Sequence, residues 1–177
     1  CLPLILSAAR PAKAPDIKSV PADLKTPEMV DGVPAAGKRV KQIAPEYKGT
    51  QVFHALYLPT DWKPGSKRKY PVLVEYAGNG PYGNRYGDIS TGKVEGSNLG
   101  YGMSGGKGFI WLCLPYVNSK TKINQRQWWG DVEATVEYCK KTVPRICRDY
   151  GGDPSQVILT GFSRGAIACN YIGLHDD

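Results

Sequence analysis

The chain has 177 residues, 41% hydrophobic and 22% charged, which places it in the globular class with enough apolar content for one packed domain. The formal net charge of +7 is spread along the chain, and its tightest cluster, Lys67, Arg68 and Lys69, lies in a turn-like PGSKRKYP stretch. That pattern reads as a solvated turn, and no nucleic-acid-binding motif is present.

The N-terminal run LPLIL at residues 2–6 is far short of the roughly 20 apolar residues of a membrane-spanning helix, so no membrane span is expected. Followed by Ser7, Ala8 and Ala9, it looks like the tail of a secretory signal peptide over residues 1–9, which implies a secreted or periplasmic protein. The alternative is a short disordered or strand-forming lead. A first residue of Cys, a signal-like start and an end inside a helical stretch lead us to expect a sequence cut at both ends. Residues 10–45 carry Pro11, Pro15, Pro21, Pro27 and Pro34 and read as a linker or wrapping arm before a domain over 46–177.

Four short runs then predict strands. QVFHALYL at 51–58 and YPVLVEY at 70–76 are rich in β-formers. GFIWLCLPY at 108–116 is apolar on both faces, as a central strand covered from either side must be, and QVILT at 156–160 is the fourth. Between the last two, Trp129, Val132, Val136, Cys139, Val143, Ile146 and Tyr150 step by three and four, which predicts one long amphipathic helix. Asp131 suits its first turn, Gly151 its end, and Pro144 is expected to bend it near residue 140. Strand, helix, strand in this order predicts an α/β fold with a mostly parallel central sheet flanked by helices.

Five cysteines without C-x-x-C spacing carry no metal or redox signature. Cys113 and Cys169 sit in apolar runs as small core residues. Cys139 and Cys147, eight apart on one helix, are about 12 Å apart in rise, too far for a disulfide.

The chemistry concentrates in TGFSRGA, residues 160–166, where Gly161, Ser163 and Gly165 form a G-x-S-x-G frame. Composition alone yields such a frame somewhere in this chain with a probability of about one in ten, so its context decides. QVILT delivers a strand end, the glycines permit a cramped turn, and AIACNYIGL begins a helix. Such a turn lifts a serine hydroxyl clear of the backbone above a helix N-terminus that favours developing negative charge.

On these residues the chain resembles the α/β-hydrolase superfamily over about residues 50–177. The resemblance implies that Ser163 is the nucleophile and that the Arg164 backbone N–H is one oxyanion donor. YPVLVEYAGNGPYG, residues 70–83, is similar to the strand and turn that supply the second donor there, which places it at Gly78, Asn79 or Gly80. Tyr76, Ala77 and Gly78 depart from the usual His-Gly opening and are closer to the Tyr-Gly-Gly type of prolyl-oligopeptidase-like members. In the family the triad acid and histidine follow the nucleophile, whereas only fourteen residues follow Ser163 here. Along a helix His175 would stand about 18 Å from Ser163, and His54 precedes it inside a strand run, so neither is expected to be its base. The acid and histidine are expected beyond Asp177, and the strand before Ser163 is expected to show an unpaired, apolar edge.

Residues 78–108 hold eleven glycines. Tyr82, Tyr86 and Tyr101 within them, and Trp128 further on, are candidates for a substrate rim, against an irregular surface loop as the alternative. Asn84, Arg85 and Asp88 lack the spacing of a metal site, and Trp129 lies on the apolar stripe as a core anchor. The expectation is thus an exported serine esterase acting on small-molecule or carbohydrate-linked esters, with no cofactor, metal or nucleic-acid partner. The alternatives are a prolyl-oligopeptidase-like peptidase, for which no propeller repeat is present, and a non-catalytic binding module on the same fold.

Overall fold

The computed structural model describes residues 16, 19–21, 23–85, 87 and 89–175. The signal-like residues 1–9, and Tyr86 and Asp88 of the glycine-rich stretch, lie outside the described residues. In chain order the elements are β1 (Met29–Val30), β2 (Arg39–Gln42), β3 (His54–Tyr57), β4 (Tyr70–Tyr76), β5 (Tyr82–Gly83), β6 (Ile89–Ser90), α1 (Leu99–Ser104), β7 (Ile110–Leu114), β8 (Val117–Asn118), β9 (Ile123–Asn124), α2 (Val132–Tyr150), β10 (Gly152–Gly161) and α3 (Arg164–Leu174).

Six strands form one mixed sheet in the order β1-β2-β3-β7-β4-β10, with β5–β6 and β8–β9 as separate two-stranded ribbons. The pairs β1–β2, β7–β4 and β4–β10 are parallel, while β2–β3 and β3–β7 are antiparallel. The fold is therefore α/β, with the parallel pairs β7–β4 and β4–β10 lying where the helices pack. Part of the segment expected to be an arm is built into this sheet: Arg39–Gln42 follows the last of the clustered prolines and pairs with β3 along its whole length. No helix among the described residues is long and apolar enough to cross a membrane.

Alternation along the central strands divides the core in two. Val72, Val74 and Tyr76 of β4, with Ile110, Leu112 and Leu114 of β7, pack against Tyr138, Cys139 and Ile146 of α2 and Ala168 and Ile172 of α3. Leu73, Trp111 and Cys113 point to the opposite face, where Ala55, Tyr57 and Val94 join them and Tyr101 of α1 packs alongside. Both faces of β7 are thus covered, which explains its uninterrupted apolar sequence. β10 is the edge strand, with Val157 and Ile158 36% and 42% exposed, so the uncovered apolar edge expected of QVILT is present.

Helix α2 runs unbroken through Pro144. Asp131 caps it, accepting a hydrogen bond from the Ala134 N–H at 3.0 Å, and Gly151 ends it in the left-handed region at φ 77°. The four described cysteines are free thiols, with Cys113, Cys139 and Cys147 buried.

Helix α1 has a different origin, because LGYGMS carries two glycines and little intrinsic helical tendency. Its N-terminus is held by Glu75 of β4, which is buried and accepts from the backbone N–H groups of Asn98, Leu99 and Gly100 at 3.1, 3.2 and 2.9 Å. The same carboxylate accepts the Trp111 indole N–H at 2.8 Å. Glu75→Ala would leave the Gly100 N–H and the Trp111 indole N–H buried and unpaired. It should cost about 3 kcal/mol or more in urea denaturation, with Glu75→Gln costing less because it keeps an acceptor oxygen.

Candidate active site at the ends of β4 and β10

Strands β4 and β10 run parallel and in register from Val157 opposite Val72 to Gly161 opposite Tyr76, so their C-terminal ends lie side by side. The chain leaving β4 goes to α1 on one face of the sheet, and the chain leaving β10 goes to α3 on the other. The divergence opens a crevice between the two ends, the position where ligands bind in open α/β sheets. Residues 77–80 form one lip of that crevice and residues 161–165 the other.

The turn at Ser163 is sterically forced. Ser163 sits at φ 54°, ψ −116°, a conformation that costs a non-glycine residue about 1–3 kcal/mol and persists only where its surroundings impose it. A Cβ at Gly165 would overlap the carbonyl oxygen of Tyr76, and one at Gly161 would overlap the Gly165 backbone. Both glycines are therefore required by close approach, and together they press the start of α3 against the end of β4. Ser163 occupies the N-cap position of α3, yet its hydroxyl makes no capping hydrogen bond, and the residue is exposed. A hydroxyl raised over a helix N-terminus and not spent on structure is available for chemistry.

The facing lip touches this turn directly. A Cβ built on Gly78 would come 2.8 Å from the Phe162 ring and 3.2 Å from the Phe162 carbonyl oxygen. Of the three residues expected to offer a second donor, Gly80 is already committed, since its N–H donates to the Arg126 carbonyl at 3.3 Å. Among the described residues the N–H groups of Gly78, Asn79 and Arg164 meet no acceptor. Beside the lips lies a cavity of about 550 Å³ whose lining includes Gly78, Phe162, Tyr82, Ser90, Lys93 and Leu99. Its size is that of a small-molecule site.

No protein-family model and no curated protein matches this chain.

Neither histidine approaches Ser163 as a base. His54 is buried on β3, where its Nδ1 is 2.7 Å from the Tyr138 hydroxyl, and its Nε2 has no partner among the described residues. Burial, with a smaller push from the Arg145 charge, lowers its pKa from 6.5 to about 3. His175 lies at the far end of α3, stacked on the Tyr171 ring at 4.2 Å, with its Nδ1 2.8 Å from the Tyr171 carbonyl. The eleven residues of α3 separate it from Ser163.

The rim candidates divide. Tyr82, on β5, is exposed and lines the cavity. Tyr101, expected at the rim, instead turns inward against Tyr57 and Trp111, with ring centroids 5.5 and 6.1 Å away, because α1 carries it into the second core cluster. Trp128 is 70% exposed at φ 54°, and its N–H donates to the Asn79 Oδ1 at 2.8 Å. Trp129 packs between Tyr116 and Tyr171, as its place on the apolar stripe implied.

The Arg164 side chain carried no signal in the sequence beyond a charged residue where the helix begins. It is buried and donates to four carbonyls: Nε to Ala77 at 3.4 Å, Nη2 to Gly78 at 2.9 Å and Gly92 at 3.5 Å, and Nη1 to Trp128. Its guanidinium carbon lies 3.8 Å from the centre of the Tyr116 ring.

Gly165→Ala is expected to lose more than about 2 kcal/mol of folding stability, measured by denaturant titration, since the clash is with backbone that cannot yield. For His54 the folded pKa lies below the unfolded one, so its contribution is complete above about pH 6.5 and is lost as pH falls toward 3. NMR should find the His54 ring neutral at pH 5, and His54→Gln should flatten the fall of stability between pH 6.5 and 4.

Proposed function

We propose that this chain carries the nucleophile side of a serine hydrolase site of the α/β-hydrolase type, acting on carboxylic esters through a Ser163 acyl-enzyme. The observation that carries the reading is Ser163 at positive φ between two glycines that admit no Cβ, with its hydroxyl uncommitted at the ends of two parallel strands. In the reaction the Ser163 Oγ forms a bond to the ester carbonyl carbon as its proton passes to an imidazole base, and the carbonyl oxygen takes up the negative charge. Collapse breaks the bond to the alcohol, which leaves with that proton. Water then attacks the acyl group by the same route, releasing the acid and restoring the serine hydroxyl.

The Arg164 N–H and one N–H from Gly78 or Asn79 are the donors for the oxyanion, because Gly80 is taken. Tyr82 and Trp128 offer aromatic faces to a small-molecule or carbohydrate-linked ester. His54 and His175 are both out of place, so the reading requires an imidazole and its carboxylate partner from outside these 177 residues. That same fact favours one other reading, a binding module that retains the turn without the chemistry.

A fluorophosphonate, tested on the protein as its source cell makes it, separates the two. We expect it to label Ser163, and Ser163→Ala to abolish labelling and lower ester turnover by at least about 10⁴-fold. Undiminished labelling in the alanine variant would remove the assignment, and no labelling of the unaltered protein would favour the binding module.

A further inference from the structure

We infer that the Arg164 side chain is a positioning residue for the oxyanion donors, an inference that rests on the reading of Ser163 as nucleophile. The backbone N–H of Arg164 already follows from the G-x-S-x-G frame, whereas the side chain acts on the opposite lip of the crevice. It draws the carbonyl oxygens of two successive peptide units, Ala77 and Gly78, toward one guanidinium. In a trans peptide the C=O and N–H point in opposite directions, so the N–H groups that share those units, on Gly78 and Asn79, are turned away from Arg164. Neither of these two N–H groups meets an acceptor among the described residues. One side chain thus aims both remaining donor candidates at once. The residue that aims them is also the one whose own N–H caps the other side of the site.

The same guanidinium ties down the Gly92 and Trp128 carbonyls, so three separate loops are registered against the residue that follows Ser163. Four carbonyls and an aromatic face are its partners, with no carboxylate among the described residues that meet it. Its charge is thus held by carbonyl dipoles and a ring face, without a counter-ion among the described residues, and beneath the lip it favours an anion on the substrate carbonyl. Burial lowers its pKa, but a guanidinium keeps its proton in proteins, so the charge persists across the working pH range. Lysine cannot substitute, because a single ammonium has neither the planar fork nor the reach to hold carbonyls from three loops.

The test uses Arg164→Lys and Arg164→Gln in the protein as its source cell makes it, with kcat referred to active sites counted by phosphonate titration. We expect kcat to fall about 100-fold with KM changed less than about threefold, the pattern of a lost transition-state contact. Affinity for a boronic acid that mimics the tetrahedral intermediate should fall in parallel. A residue that only holds the fold together would lower the melting temperature and leave kcat per titrated site unchanged, and that result overturns the inference. Should neither variant fold, the unmodified ¹⁵N-labelled protein decides. On phosphonylation of Ser163 the amide proton of Gly78 or Asn79 should move downfield together with that of Arg164. Phosphonylation without either shift overturns the positioning role alone, while failure to label Ser163 overturns the nucleophile reading and this inference with it.

Discussion

The contact between the first turn of α3 and the Tyr76 carbonyl sets the conditions for everything at the crevice. Parallel pairing brings Gly161 opposite Tyr76, and the absence of side chains at Gly161 and Gly165 lets the helix start directly against the strand end. Move α3 outward by the width of a methyl group and the Ser163 backbone has no reason to remain at positive φ. The contacts between Gly78 and Phe162, and between Arg164 and the 77–78 carbonyls, would separate with it. The free energy for holding Ser163 in this conformation comes from the sheet and the two core clusters, which are far larger than the site they position.

A second constraint is the use of buried charge to organise backbone. Glu75 gathers three N–H groups of α1 and the indole of Trp111, while Arg39 of β2 donates to the Val94 and Glu95 carbonyls and covers the Trp111 ring at 4.4 Å. Arg164 does the corresponding work on the other side of β4 with four carbonyls. Each ion is satisfied mainly by peptide dipoles, which are fixed in direction, so these charges specify loop geometry as well as stabilising it. The glycine-rich stretch after β4 supplies little apolar surface of its own, and buried charges are what give it a defined course.

How much of this was legible follows from the range of the interactions involved. Helix α2, β4, β7 and β10 announce themselves because periodicity and strand composition are local, and the turn at Ser163 is visible because its two glycines lie within five residues of chain. The arm that becomes β2 was obscured by surrounding prolines, since only its pairing with β3 makes Arg39–Gln42 a strand. Helix α1 was invisible because its N-terminal partner is Glu75, 23 to 25 residues away. Tyr101 looked like a rim residue for the same reason: without α1 in place nothing turns it toward Trp111. The role of the Arg164 side chain depends on carbonyls 36 to 87 residues distant, and backbone oxygens leave no mark on a sequence.

Trp128 is held by its backbone from both sides, with its N–H on the Asn79 side chain and its carbonyl on Arg164, while its indole projects into solvent. Most exposed aromatic residues yield when a bulky molecule arrives, because the loop that carries them gives way. Here the main chain under the indole is bolted to both lips of the crevice, so only rotation about the side-chain bonds remains.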